Sequence, residues 1–286
     1  MPPAADSSHP RSAAPPRAAR NILFIHHSVG GQWLADPGAQ ETTTDARRSL
    51  HATHPNGGGL RRRLESQGYS VHEASYGSDI GQHTDLFDWA PKFRGSMSRI
   101  LATRRQDEPL EAGLNQIVMF KSCYPNNAFE AAAVTGAQDP RALTPGNART
   151  AFAELRAALE QRPDVLFVYV TAPPLRDDSG AETAWKSLAK RALGREPLRV
   201  ERQRSAAMAR EFNDWLLGSD GWLAGYPHHN IAVFDYFGLL TRGASFLAFA
   251  SNGGTDNHPT AAAQALATER FVQFLERAVR VAGLAA

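Results

Sequence analysis

Residues 21–34 have the sequence NILFIHHSVGGQWL, in which a short apolar run gives way abruptly to two histidines, a serine and two glycines. The apolar residues 22–25 predict a buried β-strand. Ser28 follows this strand, ahead of the next predicted helix. A serine at such a strand-to-helix turn is exposed at the carboxyl edge of a sheet, near backbone N–H groups, as a nucleophilic serine must be. Because serine also caps helices, this stretch by itself leaves both interpretations open.

Four further short apolar runs predict strands, at residues 69–74, 116–120, 165–171 and 231–234. Apolar residues at helical spacing predict helices between and after the strands, at 60–67, 148–161, 205–217 and 259–281. Strands that alternate with helices indicate an α/β fold, with helices on both faces of a central, mostly parallel sheet of five strands.

Residues 21–286 are interpreted as one domain. Residues 1–20 are rich in proline, alanine, serine and arginine, and we expect them to be disordered. Three segments, at 35–59, 76–92 and 173–199, are predicted to be loops or insertions. Loops at strand ends are where an open α/β sheet places its ligand site.

Composition narrows the class of protein. The 286 residues are 42% hydrophobic and 21% charged with a net charge of +2, which does not favour a nucleic-acid partner. The single cysteine, Cys123, excludes an internal disulfide. No window holds the roughly 18–20 apolar residues that span a bilayer, so no membrane span is expected. Residues 1–20 lack an apolar signal segment, which favours the cytoplasm and leaves a secreted or periplasmic mature form open.

A second candidate element lies near the other end of the chain. Residues 254–266, GTDNHPTAAAQAL, place Asp256 and His258 in a loop just before the last helix. A histidine held at a helix start is a candidate general base, and a nearby carboxylate could orient it. The alternative is that Asp256 or Asn257 caps the helix and His258 has no function.

Taken together, these segments resemble the SGNH or GDSL-type hydrolases. The resemblance consists of Ser28 after the first strand, a glycine after the second, an asparagine after the third, and the Asp/His pair before the last helix. The segments IHHSVGGQWL, MFKSCYPNN, TAPPL, AREFNDWLL and DNHPT are similar to a mostly uncharacterised bacterial subgroup, over about residues 21–281. The resemblance implies a flavodoxin-like three-layer α/β/α fold and an ester hydrolase that needs no metal or cofactor.

Site residues follow from the resemblance position by position. Ser28 would be the nucleophile, His258 the general base and Asp256 the residue that orients His258. The oxyanion hole would combine the Ser28 amide, the Gly81 amide and the side chain of Asn126. For the last two donors, Gly77 and Asn127 are the adjacent alternatives.

Two positions depart from the family pattern. His27 stands where the family usually has an aspartate before the nucleophile. The orienting aspartate normally lies three residues before the histidine, where this chain has Thr255, whereas Asp256 lies two before it. Either Asp256 or a backbone carbonyl could therefore orient His258. The third alternative is that Ser28 and His258 act as a dyad.

Three functions are compatible with these residues. The first is an esterase that removes an acetyl or another short acyl group from a carbohydrate or small molecule. The second is an acyltransferase that uses the same site, and the third is a non-catalytic glycan-binding module.

Trp33 and Trp89 are candidates for stacking on a sugar. A metal site is not predicted, because adjacent histidines in a strand point to opposite faces and no metal-binding spacing is present.

Overall fold

The computed structural model describes residues 20–42, 49–131, 139–183, 185, 188 and 196–284. The predicted disordered segment lies outside the described residues, except for Arg20, which begins the first strand. Within the described residues, no helix is both long and apolar enough to cross a membrane.

The strands, numbered in chain order, are β1 Arg20–Ile25, β2 Asp36–Pro37, β3 Glu41–Thr42, β4 His51–His54, β5 Tyr69–Ala74, β6 Thr103–Arg105, β7 Glu108–Pro109, β8 Ile117–Phe120, β9 Leu166–Val170 and β10 Ile231–Phe234. The α-helices are α1 Ser28–Leu34, α2 Leu60–Glu65, α3 Trp89–Leu101, α4 Pro145–Leu159, α5 Leu198–Leu217, α6 Tyr236–Thr241, α7 Ser251–Gly254 and α8 Ala261–Val281. Two short 3-10 helices cover Tyr124–Asn127 and Ser179–Ala181.

The central sheet has the order β10-β9-β8-β1-β5-β6-β7, and only β7 runs antiparallel to its neighbour. The five predicted strands form one continuous parallel block, β10-β9-β8-β1-β5, and confirm the predicted class. The predicted number of five was wrong because β6 and β7 extend one edge. Their sequences, Thr-Arg-Arg and Glu-Pro, are too short and polar to give an apolar signal.

Numbered among themselves, the five predicted strands lie in the order 2-1-3-4-5, which is the flavodoxin-like arrangement. In this arrangement the connections change direction between the first and third strands, here β1 and β8, and ligands bind at the carboxyl ends of the strands there. Ser28 and the turn after β8 both lie at this point.

Helices cover both faces of the sheet because successive strand residues point to opposite sides. Along β1, Leu23 and Ile25 pack with α3, α4 and α5, whereas Ile22 and Phe24 pack with α1, α2 and α8. The result is the predicted three-layer α/β/α sandwich.

All three predicted loops contain some regular structure; the described part of 173–199 includes the 3-10 helix Ser179–Ala181 and the first residues of α5. The 35–59 segment forms a small sheet of order β2-β4-β3 beside α1. The 76–92 segment ends in helix α3, whose Pro91, Gly95 and non-helical Ser96 obscure the helical pattern. Trp33 and Trp89 are wholly buried in the two cores, so the sugar-stacking interpretation was wrong for both.

Candidate active site

Ser28 is the first residue of α1, and only His26 and His27 separate it from the end of β1. Its hydroxyl lies 3.5 Å from the Cys123 Sγ atom, which follows β8. The carboxyl ends of the two strands at the switch point therefore bring together a serine and a buried cysteine.

The glycine pair after Ser28 is explained by close packing. A Cβ atom on Gly30 would lie 2.4 Å from the His26 Cβ atom, and one on Gly31 would lie 2.0 Å from the Ser49 carbonyl oxygen. Only glycine allows α1 to approach both, and this approach fixes the helix that begins with Ser28.

His258 and Asp256 are in direct contact despite their two-residue spacing. The His258 Nδ1 atom lies 2.7 Å from Asp256 Oδ1, and the His258 amide donates to the same oxygen at 3.2 Å. Ser251 Oγ and Asn252 Nδ2 each donate to Asp256 Oδ2 at 3.3 Å. Both carboxylate oxygens are thus held within the 251–258 turn.

The electrostatics of this pair favour an ionised carboxylate. Burial raises the pKa of Asp256, but its hydrogen bonds with His258 and Ser251 outweigh burial and leave the pKa below its usual value. Because an ionised carboxylate only accepts, the His258 Nδ1 atom carries a proton and Nε2 is the free acceptor of the neutral ring.

The His258 Nε2 atom is buried and has no hydrogen-bond partner among the described residues. The Tyr124 ring packs edge-on against the imidazole, with ring centroids 5.7 Å apart. No hydrogen bond joins His258 to Ser28 in the described part of the chain. The structure therefore brings His258 and Asp256 together and leaves Ser28 bonded elsewhere.

The two glycine candidates for the oxyanion hole differ in their surroundings. The Gly81 amide donates to Ser78 Oγ at 2.7 Å. The N–H group that the oxyanion hole would need is therefore already hydrogen-bonded. Gly77 is exposed and has a positive φ of 82° at the tip of the turn after β5.

The two asparagine candidates also differ. Asn126 Oδ1 accepts from the Leu86 amide at 2.7 Å and its Nδ2 donates to Asp85 Oδ1 at 2.9 Å, which leaves one Nδ2 hydrogen. Asn127 Nδ2 donates to the carbonyls of Ala172 and Pro173, at 2.8 and 3.0 Å. Both hydrogens of Asn127 are used inside the protein, so only Asn126 retains a donor.

His27, the departure from the family pattern, holds the turn after β5. Its Nε2 donates to the Gly81 carbonyl at 2.7 Å, its Nδ1 accepts from Thr84 Oγ1 at 3.0 Å, and its ring stacks on Tyr76 at 3.7 Å. Mainly through burial, the pKa of His27 falls to about 4. A neutral His27 therefore fastens residues 76–84 to the end of β1.

Sequence reasoning missed three residues at this site. Burial raises the pKa of the Tyr76 phenol, and the proximity of Ser28 opposes the rise, so the phenol lies near Ser28. His54 of β4 lies near His258, and burial, then His51 and His258, lower its pKa to about 4. The inserted small sheet brings His54 here, and no local pattern signals it.

The third missed residue is Lys121, two positions before Cys123. Its side chain is fully buried, and its Nζ atom has no hydrogen-bond partner among the described residues. Burial lowers the pKa of this amine. Among the described residues, no group of three or more His, Cys, Asp or Glu side chains is placed to hold a metal ion.

No protein-family model and no curated protein matches the chain. Among solved structures, a family 2 carbohydrate esterase from Corynascus thermopiles (Myceliophthora fergusii) is 17% identical, with a TM-score of 0.40 over 95% of this chain and 69% of that one. A carbohydrate esterase with divergent catalytic and non-catalytic binding functions is 13% identical, with a TM-score of 0.39 over 93% and 67%. A family two carbohydrate esterase from Clostridium thermocellum, in complex with cellohexaose, is 14% identical, with a TM-score of 0.36 over 93% and 66%.

Proposed function

We propose that the chain is a serine esterase of the SGNH or GDSL type, which hydrolyses an acetyl or other short acyl ester of a carbohydrate or small molecule. The observation that carries this proposal is the His258–Asp256 contact of 2.7 Å, which leaves a buried and unpartnered Nε2 atom on His258. An imidazole oriented by a carboxylate, with its second nitrogen free, is what a general base for a serine nucleophile requires.

In the proposed reaction, Ser28 Oγ attacks the ester carbonyl carbon and its proton passes to His258 Nε2. The carbonyl π electrons move to oxygen, giving a tetrahedral oxyanion. When the carbonyl re-forms, the bond to the alcohol breaks and His258 returns the proton to the leaving alkoxide. Water then attacks the acyl-serine by the same steps, and Asp256 stabilises the imidazolium each time.

The oxyanion would be stabilised by the Ser28 amide and by the remaining Nδ2 hydrogen of Asn126. Gly81 is the proposed third donor, on the condition that the Ser78 hydroxyl turns away from its amide. Each such donor is worth on the order of 3 kcal/mol of barrier. Closure of Ser28 Oγ onto His258 Nε2 is expected on substrate binding, since catalytic hydrogen bonds often form fully only in the complex.

Hydrolysis of 4-nitrophenyl acetate by Ser28→Ala tests the proposal. We expect turnover to be lost while the thermal midpoint stays close to that of the unmodified protein. Ser219→Ala, which alters an exposed serine, is the matched control and should retain turnover. Undiminished turnover by Ser28→Ala would remove Ser28 from the mechanism.

One observation favours a second candidate, a non-catalytic glycan-binding module. Ser28 Oγ contacts Cys123 Sγ rather than His258, and the Gly81 amide is already bonded. This candidate predicts glycan binding without any ester hydrolysis.

An acyltransferase shares the proposed intermediate, and product analysis with and without sugar acceptors would distinguish transfer from hydrolysis.

A further inference from the structure

A cavity of about 120 Å³ lies at the carboxyl end of β9, between the loop that follows this strand and helix α5. Its wall is part apolar, with Ala206 and Phe237, and part polar, with Arg176, Ser205 and Asn257. Complete small-molecule sites commonly measure about 300–1,000 Å³, so this cavity has the size of a subsite for one substituent.

The cavity borders the proposed catalytic loop. Asn257, which lines it, lies between Asp256 and His258 in the chain. The Arg176 amide donates to Asn257 Oδ1 at 2.9 Å and ties the two loops together. A group held in this cavity would therefore lie against the residue that separates Asp256 from His258 in the chain.

The charges around the cavity do not cancel. Arg202 forms an ion pair with Asp178, with 2.8 Å between Nε and Oδ1. Arg176 is half-buried, and its guanidinium forms no ion pair with a carboxylate of the described residues. A guanidinium without a counter-ion favours an anionic ligand, and its planar donors match the two oxygens of a carboxylate.

We propose that this cavity binds a carboxylate group of the ester substrate and that Arg176 recognises it. This inference rests on the proposed esterase function and narrows its substrate class to anionic esters. The carboxylate belongs either to the acyl part, as in a dicarboxylic half-ester, or to the alcohol part, as in an acylated uronic acid.

Two substrate pairs distinguish these sources. The acyl pair is 4-nitrophenyl hydrogen succinate against 4-nitrophenyl butyrate, and the alcohol pair is acetylated galacturonic acid against acetylated galactose. The measured quantity is the ratio of kcat/KM for the anionic ester to kcat/KM for its neutral counterpart. We expect Arg176→Gln to lower this ratio about tenfold or more in one pair, as for loss of a charged hydrogen bond.

Arg204→Gln is the matched control, since Arg204 lies exposed on α5, pairs with Glu196 and is removed from the cavity wall. It makes the same change of net charge and should leave the ratio within about twofold, as expected for a screened surface charge. If the kcat/KM ratio is the same for Arg176→Gln and the unmodified protein in both substrate pairs, the proposed carboxylate subsite is wrong. Hydrolysis of these esters would still support the esterase function.

If no ester is hydrolysed, the proposed esterase function fails and calorimetric titration with D-galacturonate and monomethyl succinate tests the cavity separately. Binding of either ligand that Arg176→Gln abolishes and Arg204→Gln retains would support an anionic subsite. Absence of binding, or binding that both variants retain, would overturn it.

Discussion

The two halves of the proposed active site differ in how many of their contacts are already made. In the histidine loop, residues 251–260, the contact between His258 and Asp256 is formed, and the His258 Nε2 atom has no partner among the described residues. In the serine turn, residues 26–31, the hydroxyl of Ser28 is bonded to Cys123. In the proposed reaction the proton acceptor is thus already oriented, whereas attack by Ser28 would require its hydroxyl to change partner.

This difference shows why sequence spacing is a poor guide to geometry. Asp256 reaches His258 from two residues away because Ser251 and Asn252 hold the carboxylate inside the turn. Gly81 has the residue type expected of an oxyanion donor, yet its amide bonds Ser78 and its carbonyl bonds His27.

The largest effect is expected from His258→Gln in the histidine loop. Glutamine cannot accept the proton of Ser28, so kcat should fall about 10³-fold or more. His229→Gln, which alters an exposed histidine, is the control. Steady-state kinetics on 4-nitrophenyl acetate provide the measurement, and a loss below about tenfold for His258→Gln would point to a different base.

Asp256→Asn should lower kcat by about 100-fold, because an amide stabilises the imidazolium less well than a carboxylate does. The variant retains the size of the side chain, and unfolding in urea would show whether the turn survives. A decrease in kcat of less than about threefold would indicate that Ser28 and His258 act as a dyad without Asp256.

Asn126 and Asn127 allow a matched comparison in the serine half of the site. Asn126→Ala should lower kcat about 100-fold through loss of an oxyanion donor. Asn127→Ala should instead lower the free energy of unfolding by about 2 kcal/mol, because its bonds to Ala172 and Pro173 are structural. Kinetics and urea unfolding on both variants would separate the roles, and equal effects on kcat would contradict the assignment.

Protonation of His27 is expected to change the stability of the protein rather than the chemistry of the site. Its pKa is about 4 in the folded protein, below the value of about 6.5 for an unfolded histidine, so the unfolded chain takes up the proton first as the pH falls. The stability contributed by neutral His27 is complete above about pH 6.5 and is lost towards pH 4, by at most about 3 kcal/mol.

His27→Phe keeps an aromatic ring against Tyr76 and removes the titration. Urea midpoints at pH 7 and 4.5 should therefore differ less for this variant than for the unmodified protein. The pKa values of His51 and His54 are also lowered, so the difference in pH dependence between the variant and the unmodified protein is the informative quantity. His229→Phe, which alters an exposed histidine, is the control. If the urea midpoints of the two proteins depend on pH in the same way, a neutral His27 does not stabilise the folded protein.

The sequence was sufficient for the parts of the fold that have strong local signals. The strand at Ile231–Phe234 has its predicted bounds, since its apolar run is limited by the polar residues on either side. The strand at Tyr69–Ala74 also has its predicted bounds, although polar residues alternate with apolar ones along it. Helix α5 begins seven residues earlier than predicted, at Leu198, because residues 198–204 are mostly polar and give a weak apolar stripe.

For the site, the sequence predicted residue types and missed tertiary neighbours. Ser28, Asp256 and His258 each stand in a recognisable local context. Tyr76 and His54 reach the site only because separate insertions fold back onto it, and such contacts leave no periodic signal. The bond between Gly81 and Ser78 is likewise a property of the folded turn.

The central claim is that Ser28, and not the adjacent Cys123, is the nucleophile. Treatment with a fluorophosphonate followed by peptide mass mapping tests it most directly, because the reagent forms a stable adduct with an activated nucleophile. We predict a single adduct on Ser28 that persists in Cys123→Ala and is formed far more slowly in His258→Gln. An adduct on Cys123 or another residue, or labelling that is independent of His258, would contradict the claim.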